Sequence, residues 1–135
     1  MIIRAISTAI AMVLMVNMAS CQSSNSGKTA DATVQTINVT DFATKLKAST
    51  GAQLVDVRTP QEFAEGHLQN ALNVNYNAND FAEQIAKLDK TKAVYVYCRS
   101  GGRSGSAVRQ MQEMGFTEIY NMDGGILSWK GEVVK

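Results

Sequence analysis

The chain has 135 residues, 45% hydrophobic and 19% charged, with 13 basic and 12 acidic side chains. That length suits one domain, and that composition excludes a wholly disordered chain. A single proline among ten glycines excludes collagen-like and proline-rich architectures, and the near-neutral balance offers no basic excess for nucleic acid.

The N-terminus differs in kind from the rest. Arg4 precedes an apolar run, AISTAIAMVLMV, over residues 5–16. A membrane span needs ~20 apolar residues, so this run reads as the core of a secretory signal over residues 1–20. Met18-Ala19-Ser20-Cys21 resembles a bacterial lipobox. The resemblance implies cleavage before Cys21, lipidation of that cysteine and stable anchoring by more than one acyl chain. Cleavage nearby with Cys21 incidental is the alternative. Gln22 stands where many inner-membrane-retained lipoproteins carry aspartate, which points to an outer membrane in a cell that has one. The expected location is the cell envelope, facing the periplasm in a Gram-negative cell. The mature chain loses only Arg4 among the charges, leaving 12 basic and 12 acidic side chains. Residues 21–33 are polar and small and read as the lipidated cysteine plus a flexible tether.

A single domain is expected over residues 34–135. VQTINV (34–39) reads as a first strand, and Thr40 or Asp41 as the cap of a helix to about Ala48. QLVDVR (53–58) is a second strand, followed by a helical turn from Pro60 through Phe63. Ala71 to Val74 is a third strand. Asn79 or Asp80 opens a helix with Phe81, Ile85 and Leu88 on one stripe. The continuous apolar run from Ala93 to Tyr97 reads as a buried central strand. Ser104 begins a helix whose Ala107, Val108, Met111 and Met114 face inward and which Gly115 ends. Glu118 to Asn121 is a last strand, and Gly124-Gly125 precede a helix from Ile126 to about Trp129. This alternation predicts an α/β fold: a central, mostly parallel sheet with helices on both faces. Ligands of such sheets bind beyond the carboxyl ends of the strands, where Cys98 falls.

With Cys21 lipidated, Cys98 is left without a cysteine partner, so no disulfide framework is expected. One cysteine and one histidine cannot build a zinc site of the usual type. No metal or other cofactor is expected. A leftover thiol is either buried and inert or reactive, and its surroundings favour reactivity. Cys98-Arg99-Ser100-Gly101-Gly102-Arg103 turns a strand into a helix beginning at Ser104. Gly101 and Gly102 permit a turn whose amides converge on an anion, and the helix adds the positive end of its dipole. Arg99 and Arg103 add full charges. Such surroundings lower a thiol pKa from ~8.5 to roughly 3.5–7.5, and the thiolate is the nucleophile.

The string CRSGGRS resembles the active-site loop of rhodanese-family sulfurtransferases. Asp56-Val57-Arg58-Thr59-Pro60-Gln61-Glu62-Phe63, with Gly66-His67-Leu68 and Ala71-Leu72-Asn73, resembles the first signature of that family. Gly124-Gly125-Ile126-Leu127-Ser128-Trp129 resembles its C-terminal signature. The resemblance covers about residues 34–131, one rhodanese-like module. It implies that Cys98 takes the outer sulfur of a small donor anion such as thiosulfate or polysulfide, becomes a persulfide and yields the sulfur to a thiol or other thiophilic acceptor, a protein among the candidates. Arg99 and Arg103 would neutralise the donor, and the amides from Arg99 through Ser100, Gly101 and Gly102 to Ser104 would hold the persulfide. The default oligomeric state is a monomer.

Related phosphatases and arsenate reductases use a longer C-x5-R loop, usually with histidine before the cysteine. Here the spacing is C-x4-R and Tyr97 precedes Cys98, a ring better sized for a sulfur atom than for a phosphate, which leaves those activities remote. A carrier or docking module with little small-molecule turnover is the nearer alternative. The remaining signature residues read as structural. Arg58 and Glu62 are spaced to pair with each other. Asp56 fixes neighbouring loops, His67 and Trp129 pack, and Gly124-Gly125 allow close approach to the loop.

Overall fold

The computed structural model describes residues 31–135. The expected signal peptide, Cys21 and most of the tether lie outside the described residues.

Five strands form one sheet: β1 (Thr33–Ile37), β2 (Gln53–Asp56), β3 (Leu72–Asn73), β4 (Val94–Tyr97) and β5 (Glu118–Met122). Their order is β1-β5-β4-β2-β3, and every pairing is parallel. The crossovers carry α1 (Val39–Ala48), α2 (Pro60–Glu65), α3 (Phe81–Ile85) and α4 (Gly102–Glu113), and a 3₁₀ turn follows at Gly125–Ser128. The α/β expectation therefore holds, with a sheet that is parallel throughout.

The central strand β4 is buried along its whole length, as its apolar run requires. Successive strand side chains point to opposite faces. Val94, Val96 and Cys98 accordingly join one core with Val55, Phe81, Ile85, Ala107 and Met111. Tyr95 and Tyr97 join the other, with Phe42, Leu54, Leu68 and Met122. Each fully buried Val or Phe side chain contributes about 1.5–3 kcal/mol, so the strand end that presents Cys98 is firmly seated.

Several boundaries shift for local reasons. Asn38 rather than Thr40 or Asp41 caps α1, because its Oδ1 accepts from the amide of Asp41 at 2.9 Å, and this ends β1 before Asn38. β2 stops at Asp56 rather than Arg58, since the Asp56 carboxylate takes the Arg58 amide at 2.9 Å and turns the chain outward. α2 extends to Glu65 under a capping box formed by Thr59 and Glu62. The third strand shrinks to Leu72–Asn73. α4 begins at Gly102, ahead of Ser104, and the C-terminal helix is one 3₁₀ turn starting at Gly125. Among the described residues, no helix is long and apolar enough to cross a membrane.

Candidate active site

Cys98 sits immediately beyond β4, and its side chain is buried at 1% exposure. The loop that follows wraps back over its sulfur. Gly101 adopts φ +106°, a left-handed conformation that suits glycine, and its amide donates to Cys98 Sγ at 3.0 Å. Gly102 already belongs to α4 and has no positive φ, so only the first of the two loop glycines uses its conformational freedom. Arg99 and Ser100 are exposed, and Ser104 is fully buried within α4.

Burial pushes the Cys98 thiol up. The Ser104 side chain and the amides of Ser104, Gly101 and Ser100 more than offset it, so the thiol lies below its ordinary value. The N-terminus of α4 acts in the same direction. The single Ser104 hydroxyl proton faces two acceptors, Cys98 Sγ and the Gly101 carbonyl at 3.2 Å. A Ser104→Ala variant is expected to raise the Cys98 pKa, because the thiolate loses one hydrogen bond to its charged form. The pH dependence of Cys98 alkylation measures it; an unshifted profile would remove Ser104 from the sulfur's environment.

The C-terminal signature holds the loop from behind. The Ile126 amide donates to the Cys98 carbonyl at 2.9 Å, and the Leu127 amide to the Arg99 carbonyl at 3.2 Å. Gly125 makes this possible: a Cβ there would lie 2.4 Å from the Arg99 carbonyl oxygen and 2.6 Å from that of Cys98. Trp129 lies elsewhere. It packs on the Tyr95–Tyr97 face and lines a groove of ≈ 650 Å³ with Thr44, Leu54 and Leu68. Its Nε1 donates to the Glu132 carbonyl at 3.1 Å.

The first signature supplies two ion pairs, and they differ from the expected one. Arg58 does not pair with Glu62. Its Nη2 donates to Asp56 Oδ2 at 2.6 Å and to the Gly66 carbonyl at 2.7 Å, with both partners of the ion pair buried. The i,i+4 argument fails because Arg58 precedes α2 and has no helical geometry. Glu62 instead receives Arg103 from the first turn of α4, Nη1 to Oε2 at 2.7 Å and Nη2 to Oε1 at 2.8 Å. The Arg103 hydrogen bonds, against the opposing effect of burial, hold the Glu62 carboxyl at about 2, and Thr59 adds to the effect. The pair therefore stays intact across physiological pH. Sequence reasoning missed this pairing, and also Asn73, whose Nδ2 donates to the Asp56 and Arg58 carbonyls at 3.1 and 2.9 Å. His67 stacks on Phe63 at 3.6 Å between ring centroids, places Nδ1 2.9 Å from the Phe63 carbonyl, and bridges Val134 through its backbone. These contacts tie it to α2 and the C-terminus rather than to the loop.

The rhodanese-like domain model matches residues 38–132. The chain belongs to the rhodanese-like domain family. Similar proteins include the uncharacterized protein YqhL of Bacillus subtilis, 39% identical across 61% of this chain and 64% of that one. The putative sulfurtransferase YtwF of Bacillus subtilis is 33% identical over 73% of this chain and 93% of its own. The thiosulfate sulfurtransferase GlpE of Pseudomonas aeruginosa is 38% identical over 59% and 71%. A rhodanese-related protein from Thermoplasma volcanium superposes with a TM-score of 0.65 at 31% identity, covering 74% of this chain and 97% of that chain. These relatives support a sulfurtransferase-type enzyme.

Proposed function

We propose that this rhodanese-like domain transfers sulfane sulfur through a persulfide on Cys98. The observation that carries the reading is the Cys98 sulfur at the start of α4, 3.0 Å from the Gly101 amide and with its thiol pKa lowered. With thiosulfate as donor, the Cys98 thiolate forms a bond to the outer sulfur. The S–S bond of thiosulfate breaks, and sulfite leaves with the electron pair. The new terminal sulfur carries the charge into the loop, where amide N–H groups stabilise an anion best. An acceptor thiolate or cyanide then attacks that sulfur, and Cys98 departs as thiolate. No net redox change and no cofactor enter either step.

The proposal extends to place. The lipobox-like run ending at Cys21 supports a lipid-anchored enzyme in the cell envelope.

The test is intact mass of the domain from residue 22 onward after incubation with thiosulfate. We expect one added sulfur atom on Cys98, discharged as thiocyanate by cyanide. A sulfur that loads but is released only to a protein acceptor would favour the carrier reading. No added sulfur from thiosulfate, polysulfide or an organic persulfide would overturn both.

A further inference from the structure

We infer that Glu62 is a specificity-determining positioning residue: by closing on Arg103 it leaves Arg99 as the free guanidinium of the loop, and the site favours a singly charged sulfane donor, an organic persulfide R–S–S⁻, over dianionic thiosulfate. The inference rests on the sulfur-transfer reading above.

The geometry is that of a closed pair. Both Arg103 terminal nitrogens meet both Glu62 oxygens, at 2.7 and 2.8 Å, a bidentate arrangement. Glu62 is itself fixed, because Oε2 also accepts from the Thr59 amide and hydroxyl, each at 3.0 Å. The two side chains are 26% and 25% exposed, so water screens the pair only in part. Turning Arg103 toward a donor would strip Glu62 of its cation and leave a carboxylate beside an arriving anion. Asp56 likewise cancels Arg58. Arg99 is exposed and has no carboxylate partner among the described residues. Of the arginines in the two signatures, Arg58 and Arg103 are thus each matched by a carboxylate, and among the described residues Arg99 is not. A donor with two negative charges meets a field that the loop arginines no longer dominate.

For an organic persulfide the step balances simply. The Cys98 thiolate bonds to the terminal sulfur, the original S–S bond breaks, and R–S⁻ leaves with the electron pair. Charge on the two sides is equal, and no oxidant is needed.

Glu62→Gln tests the assignment, since glutamine serves the same capping position of α2 while removing the charge. The readout is the rate of sulfur loading on Cys98 from thiosulfate and from cysteine persulfide, followed by intact mass. Parent protein is expected to load faster from the persulfide. The variant should raise the thiosulfate-to-persulfide ratio roughly three- to tenfold at low ionic strength, the size expected when one nearby unit charge is removed at a partly screened site. That gain should shrink in about 0.5 M salt. Arg103→Gln, which leaves Glu62 uncompensated, should move the ratio the other way. A merely structural role would alter both donors alike. An unchanged ratio in both variants overturns the assignment and leaves sulfur transfer standing. Absence of loading from either donor overturns the two together.

Discussion

A Cys98→Ser variant is expected to lose at least ~10³-fold of sulfur transfer while folding as the parent does. A serine hydroxyl has no accessible anion at neutral pH, and its oxygen cannot form the S–S bond that stores the sulfur. The loop should nevertheless survive the change. The Gly101 amide, 3.0 Å from Sγ, can donate to Oγ instead, and the Cys98 carbonyl keeps its bond from Ile126. Thiosulfate-to-cyanide transfer and a thermal melt, run on both proteins, separate chemistry from folding. Equal turnover would remove Cys98 from the reaction, and a collapsed melt would mean that the sulfur holds the loop.

Asp56→Ala is expected to destabilise the domain by about 3–5 kcal/mol, because it leaves a buried guanidinium without its carboxylate. Asp56 is fully buried and Arg58 is 6% exposed. Besides the ion pair, the Asp56 carboxylate accepts the Arg58 amide, so the variant also frees the turn that ends β2. The Arg58 guanidinium would keep one hydrogen bond, that to the Gly66 carbonyl at 2.7 Å. At about 4–8 °C per kcal/mol for a domain of this size, the melting temperature should fall by roughly 12–40 °C. Urea unfolding gives the free energy directly. Replacing both residues, Asp56→Leu with Arg58→Met, should recover much of the loss, since apolar pairs often substitute for buried ion pairs. A drop below about 1 kcal/mol in the single variant would show that water reaches Arg58 and that the pair is not a buried one.

What could be read from the residues alone was what the chain writes contiguously. The strand-to-helix turn after Cys98, the apolar run of β4 and the alternation of strands with helices are all local, and the structure shows them, with α4 starting two residues early. Gly125 was legible too, because a glycine pair in a known signature marks a close approach. The partner of Arg103 was not legible: Glu62 lies 41 residues away, and only the parallel pairing of β2 with β4 brings their ends together. Arg58 misled for a related reason. Its spacing to Glu62 is helical in number, but the helix starts two residues after Arg58. Trp129 follows the same signature as Gly125 yet belongs to the opposite face, since the 3₁₀ turn ends before it and the chain becomes extended there. Periodicity arguments carry no information about where a turn redirects the chain.

The strand order also dictates a schedule. Among the described residues, β1 is an edge strand whose sole neighbour is β5, with Thr33 beside Glu118 and Ile37 beside Met122. β1 thus waits for β5, synthesised about 85 residues later, before it can pair. The same delay applies to Cys98, whose carbonyl waits for the amide of Ile126. A nascent or truncated chain ending before Glu118 would leave Cys98 on an unsupported loop, with the edge of β4 open to other chains. Emergence of residues 124–127 is therefore the step that ties down the backbone of Cys98 and Arg99.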